Sequence, residues 1–171
     1  EKITSRSGLK LEGGYINTKW ERIAPNLTRG SVIGGVNYEF SLNNRFSLAP
    51  GFSLNIPKES KAHMENVRIM EGRIDAIFKY PLFNSFSFNS GFGLSVADYN
   101  ISKLAVVDGT AYTFNKYAKG TAYGVSPFMG FRFKVLTDIN IDINARYFWY
   151  YSKLHKDIGG FAVMPALMFE F

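Results

Sequence analysis

The sequence predicts an all-β fold, an eight-stranded antiparallel up-and-down β-barrel that crosses a membrane with its strands. Three observations predict it. The segment Phe161–Phe171 places Phe161, Val163, Pro165, Leu167, Phe169 and Phe171 at every second position, the period of a strand with one apolar face. The same alternation recurs in about eight segments of similar length. Short connections alternate strictly with longer ones, as when tight turns close one end of a membrane barrel and loops the other.

Each segment is justified by its own pattern. Gly8 to Lys19 sets Leu9, Leu11, Gly13 and Tyr15 against Lys10, Glu12 and Gly14. Ser31 to Leu42 opposes Val32, Gly34, Val36, Tyr38, Phe40 and Leu42 to Asn37, Glu39 and Ser41. Asn43-Asn44-Arg45 then reads as a tight turn, because Asn tolerates positive φ. Phe46 to Ile56 carries Phe46, Leu48, Phe52, Leu54 and Ile56 opposite Ser47, Gly51, Ser53 and Asn55. Arg68 to Tyr80 carries Met70, Ile74, Ala76, Phe78 and Tyr80 opposite Glu71, Arg73, Asp75 and Lys79. Pro81 to Ser85 is the second short connection. Phe86 to Tyr99 opposes Phe86, Phe88, Phe92, Leu94 and Val96 to Ser87, Asn89, Gly91, Gly93 and Ser95. Ala122 to Val135 opposes Tyr123, Val125, Met129, Phe131 and Phe133 to Gly124, Ser126, Gly130, Arg132 and Lys134. After the turn at Leu136-Thr137-Asp138, Ile139 to Tyr151 sets Ile141, Ile143, Tyr147 and Trp149 against Asn140, Asp142, Asn144 and Arg146. The longer connections are Trp20 to Gly30, Pro57 to Val67, Asn100 to Thr121 and Ser152 to Gly159.

The 171 residues fit one domain spanning 1–171, 46% hydrophobic and 16% aromatic. A transmembrane helix needs about 18 or more predominantly apolar residues. The longest charge-free stretch, Tyr80 to Ala97, is broken by Pro81, Asn84, Ser85, Ser87, Asn89 and Ser90. A barrel strand needs only about 9–11 residues with one apolar face. With no Cys, disulfides and thiolate metal sites are excluded. The start at Glu1-Lys2-Ile3 reads as a mature or trimmed form without a signal peptide. The net charge of +6 is compatible with nucleic acid, but its distribution points to another anionic partner.

A soluble barrel would hide its apolar face and show its charges. An eight-stranded lumen is only wide enough for side chains to fill. Bulky Phe, Tyr, Trp, Leu and Ile therefore belong outside, and the Gly-, Ser- and Asn-rich face inside. That inner face carries both signs of charge: Lys10, Glu12, Glu39, Glu71, Arg73, Asp75, Lys79, Arg132, Lys134, Asp142 and Arg146. We read them as an ion-paired plug, since buried charges must be paired. Aromatics at strand ends, among them Tyr15, Trp20, Tyr80, Trp149, Tyr151 and Phe171, read as interfacial girdles. Pro50, Pro127 and Pro165 fall inside strands, where proline cannot donate to the ladder. A bulge or a lost ladder bond is expected at each.

With these features the chain resembles the small eight-stranded outer-membrane barrels, the group that includes OmpX, the membrane domain of OmpA, NspA and the opacity-type proteins. The resemblance rests on the architecture and on the closing segment with Val163, Leu167, Phe169 and Phe171. It implies that this segment is an assembly signal read by the barrel-assembly machinery. It also implies a bacterial outer-membrane location at the cell surface, no cofactor, and activity in the extracellular loops, as adhesin, host-protein binder or structural anchor. A monomer is expected.

The predicted loops and outer strand ends are basic, with Lys19, Arg22, Arg29, Lys58, Lys61, Arg68, Lys103, Lys116, Lys119, Lys153 and Lys156. A ring of such cations can pair with lipopolysaccharide phosphates or another polyanion; it can equally be a set of solvated loop charges. The longest connection mixes Leu104, Val106, Val107, Tyr112, Phe114 and Tyr117, a composition suited to binding a protein partner. The favoured geometry for these residues is a hairpin that extends the strands, with Asp108-Gly109 as its turn, and it could still serve binding. His63 and His155 lie in predicted loops outside any recognisable catalytic motif, so a lipid A-modifying Ser/His hydrolase is the weaker alternative, and the chain reads as a non-enzyme. A narrow pore, or passage of a small hydrophobic molecule, is the other alternative.

Overall fold

A computed structural model describes residues 6–20, 29–57, 65–107, 111–151 and 158–171. Eight strands follow one another: β1 (Gly8–Trp20), β2 (Arg29–Ser41), β3 (Phe46–Pro57), β4 (Glu65–Phe83), β5 (Phe86–Val107), β6 (Ala111–Leu136), β7 (Ile139–Tyr151) and β8 (Ile158–Glu170). Each pairs antiparallel with its sequence neighbours, and β8 returns to β1, so the sheet closes into a barrel. Closure pairs Leu9 with Phe169 and Leu11 with Leu167. Phe171, just beyond β8, still donates its backbone N–H to the Ser7 carbonyl at 2.9 Å.

The expected turn chemistry holds at the first short connection. Asn43 Oδ1 accepts the backbone N–H groups of Arg45 and Phe46 at 2.8 and 2.9 Å, the side-chain mimicry that suits Asn to turns. The second connection is tighter than expected. β4 continues through Pro81 to Phe83, with a register irregularity between those two residues, and the turn proper is Asn84-Ser85.

The longest connection, Asn100 to Thr121, takes the favoured hairpin form and is mostly ladder. β5 and β6 stay paired through Leu104↔Phe114, Val106↔Tyr112 and Val107↔Ala111. Alternating apolar and polar residues satisfy their backbone groups more completely as a hairpin than as a loop. Asp108-Gly109 lies outside the described residues.

Orientation follows the side-chain volumes. Glu39 and Asp142 are fully buried in the lumen, whereas Ile74 and Trp149 are more than half exposed on the outer wall. Lys134 is the exception to the expected inward set. It lies at the turn-end rim, beside a register irregularity between Lys134 and Leu136, and reaches solvent there.

The three prolines point outward, and each costs ladder on one side only. Pro50 keeps its pairing with Ile74 on β4, Pro127 with Phe92 on β5, and Pro165 with Ile143 on β7. On the other side pairing lapses, between Asn37↔Gly51 and Phe40↔Leu48, between Val125↔Trp149 and Phe128↔Arg146, and between Glu12↔Ala166 and Tyr15↔Val163. The register resumes unshifted after each gap, so these are lost rungs rather than bulges. In an antiparallel ladder a residue directs its backbone groups to a single neighbour. A missing N–H is therefore felt on one side alone.

Candidate functional site: a plugged lumen beneath a tall hairpin

The lumen is stacked in three storeys. Nearest the turns, Arg132 donates to Asp142 through Nε and Nη2 at 2.7 and 2.9 Å, and to Glu39 through Nη2 at 2.7 Å. Lys10 meets Asp142 at 3.1 Å and Lys79 meets Glu39 at 2.5 Å. Above this, Arg146 grips Asp75 with both terminal nitrogens at 2.8 and 2.5 Å and lies 4.4 Å from the Phe128 ring centre. Arg73 donates to Glu12, and to Asp75, Ser53 and Asn37 at 3.3 Å each. Glu71 accepts from the Tyr150 hydroxyl, while its Oε1 has no hydrogen-bond partner among the described residues and lies 3.9 Å from Arg73.

The third storey, toward the loops, is apolar: Ile16, Ile33, Ile69, Tyr99, Phe148 and Met164 pack together. Sequence reasoning missed it because the inner face was read as polar throughout. The signal was present, since Val32-Ile33, Val163-Met164 and the run Tyr147 to Tyr151 are apolar or aromatic on both faces.

Ten of the eleven expected lumen charges are thus brought together; Lys134 is not. Lys10, Arg73, Lys79, Arg132 and Arg146 balance Glu12, Glu39, Glu71, Asp75 and Asp142, and all ten are buried. The glycines of this face make room for the network. A Cβ on Gly93 would collide with the Asp75 carboxylate and stand 3.0 Å from Arg146 Nη1, and one on Gly51 would overlap the Asn37 side chain. The arrangement can hold a wall rigid from within. Among the described residues Glu12, Glu39, Asp75 and Asp142 are each bound by a guanidinium or ammonium group, while Glu71 is held by the Tyr150 hydroxyl.

The wall is uneven in height. β6 pairs with β7 only up to Tyr123↔Tyr151, so residues 111–122 of β6 have no partner on that side among the described residues. On the hairpin, register places Leu104 and Val106 opposite Phe114 and Tyr112 on one face. Val107 belongs to the other face, and Tyr117 is the extra residue where the register shifts between Ile101 and Ser102. The expected partner-binding set is therefore divided.

Of the expected basic ring, Arg68 and Lys119 are exposed. The backbone places Lys19 and Arg29 at the loop ends of β1 and β2, and Lys103 and Lys116 on the hairpin. Arg22, Lys58, Lys61, Lys153 and Lys156, with His63 and His155, lie outside the described residues. The outward residues of the closing strand include Val163, Leu167 and Phe171, while Phe169 is half-buried. At the turn end Phe86 packs against Phe131 and Phe133, with ring centres 5.3 and 4.9 Å apart, part of the expected aromatic girdle.

No family model matches the chain, and no curated protein matches it by sequence. Solved structures do match. Neisserial surface protein A aligns over 99% of this chain and 100% of its own, with a TM-score of 0.71 and 11% identity. Ail, the attachment invasion locus protein of Yersinia pestis, aligns over 99% and 100%, with a TM-score of 0.62 and 14% identity. OprG of Pseudomonas aeruginosa covers 98% of each chain, with a TM-score of 0.51 and 9% identity. The chain has the fold of the small eight-stranded outer-membrane β-barrels.

Proposed function

We propose that this protein is a non-enzymatic barrel of the bacterial outer membrane that captures a partner at the cell surface through the β5–β6 hairpin. The side of β6 above Tyr123, which has no partner among the described residues, carries the proposal. An open strand edge presents backbone donors and acceptors to which an extended segment of another chain can add as a further strand. Register sets Leu104 opposite Phe114 and Val106 opposite Tyr112 along the same hairpin, an apolar stretch of sequence next to that edge. The name of Ail, an attachment protein, agrees with a surface-binding role, as does the complex of Ail with the heparin analogue sucrose octasulfate.

Replacing residues 103–115 by an Asn-Gly turn should abolish adhesion of displaying cells to an epithelial monolayer, while the folded barrel still migrates differently before and after boiling. Thr121→Pro tests the edge itself. Thr121 shares the parity of Pro127, whose missing N–H faces β7, so the substitution removes a donor from the open side and spares the β5 ladder. Adhesion should fall about tenfold, as for an interface that loses a well-placed backbone contact. Unchanged adhesion in both variants would refute the reading.

The pore alternative is disfavoured by the ion-paired storeys. Planar-bilayer recordings should show no steady current from the native protein, and a stable open conductance would reinstate it.

A further inference from the structure

On the outer wall of β4, β5 and β6, register builds a second feature that the hairpin does not use. Arg68 pairs with Asn100, and Asn100 with Lys119, so the three form one row across three strands. Arg68 and Lys119 are exposed, and neither has an ion-pair partner among the described residues. In the same row the Asn100 side-chain oxygen is buried without a hydrogen-bond partner among the described residues. In the next row toward the turns, Met70, Asp98 and Thr121 are aligned, with the Thr121 hydroxyl donating to Asp98 at 2.9 Å. The patch is therefore two cations and one carboxylate.

Below these rows the wall is wholly apolar and indented. Gly72 pairs with Val96, and Val96 with Tyr123. Because Gly72 has no side chain, a groove of about 740 Å³ opens there, lined by Ile74, Leu94, Val96, Tyr123, Val125 and Tyr151 among others. These side chains point away from the lumen. In a membrane barrel that surface faces lipid, so acyl chains are what the groove meets. Arg68 lies four residues from Gly72 on the same strand, about 13 Å at the usual rise. That separation suits a headgroup at the interface and a chain in the hydrocarbon.

We infer that this face is a seat for one phosphate-bearing lipid of the outer leaflet. Its phosphate lies between Arg68 and Lys119, a hydroxyl or amide N–H of its headgroup donates to Asn100, and an acyl chain fills the Gly72 groove. Asp98 sits on the groove side of the phosphate, where its bond to Thr121 holds it. The inference rests on the outer-membrane reading above and extends it to a particular lipid class and position.

The test uses the full folded chain in detergent, loaded either with diphosphoryl lipid A or with its dephosphorylated form, and read by native mass spectrometry. The native protein should retain one diphosphoryl lipid A and lose the dephosphorylated form. Arg68→Ala with Lys119→Ala should weaken retention about thirtyfold, the factor expected for two headgroup cations. Gly72→Leu should weaken it independently by filling the groove. A Cβ at Gly72 meets nothing within 4 Å, so the added side chain starts into open space on the outer wall.

Equal retention of both lipids, or retention unchanged in the variants, overturns the seat and leaves the membrane reading standing. A protein dimer that Gly72→Leu dissociates overturns it in favour of a second copy. A chain that stays soluble without detergent, with identical migration before and after boiling, removes the membrane reading and the seat together.

Discussion

Arg73→Leu is expected to destabilise the barrel by about 3–5 kcal/mol, the usual consequence of removing one partner from a buried ion pair. The middle storey has two guanidiniums, Arg73 and Arg146, for three carboxylates, Glu12, Asp75 and Glu71. Arg146 is committed to Asp75 through two bonds. Without Arg73, Glu12 loses its guanidinium partner and Glu71 its nearest cation, and both carboxylates are buried.

Arg132→Leu should cost less although Arg132 donates as many hydrogen bonds as Arg73, four each. Lys10 and Lys79 would still neutralise Asp142 and Glu39 one to one. Urea unfolding of the folded protein in detergent, followed by the change in gel migration, measures both variants. Pairing Arg73→Leu with Glu12→Gln should recover part of the loss. If Arg73→Leu costs under about 1 kcal/mol, the charges are water-screened and the plug does not bear on stability.

Much of this architecture was legible in the residues themselves. A period of two specifies which face a side chain takes, and the volumes of Phe, Trp and Ile against Gly, Ser and Asn decide which face is the lumen. Lys10, Glu39, Arg73 and Asp142 were assigned inward on that basis alone, as the structure has them. What alternation does not carry is register. Nothing in the strands separately tells that Arg68, Asn100 and Lys119 share a row, or that Arg132 would reach both Glu39 and Asp142, because these neighbours are fixed by how far each strand slides past the next.

Strand length was legible only in part: the hairpin was the favoured geometry, but its register was not readable. The alternation in Leu104 to Val107 and Ala111 to Asn115 suits a strand, but membership of one tall hairpin depends on the partner at each position. The apolar storey was missed for a different reason. Near the loop ends both faces are apolar, which cancels the periodic contrast, so Ile33 and Phe148 do not stand out from Val32 and Trp149. Lys134 was misplaced because parity is blind to height: the face is right, but the residue sits at the rim.

Two glycines show how strongly the two faces differ. Gly93→Val should destabilise the barrel by about 3 kcal/mol or more, whereas Gly72→Val should be nearly neutral. Both are strand residues, and Val suits a strand better than Gly on propensity alone. At Gly93 the added carbons would enter the space of the Asp75 carboxylate, the Ser126 hydroxyl and Arg146 Nη1. Relief would require parting the Arg146–Asp75 pair, so overpacking and loss of a buried ion pair add together. At Gly72 an added Cβ meets no atom within 4 Å on the outer wall, and a lipid-facing methyl costs nothing in hydrocarbon. Urea midpoints of the two variants, measured side by side in detergent, decide the matter. Equal midpoints would mean that Gly93 does not face the ion pairs, and the inward orientation of the polar face would fall with it.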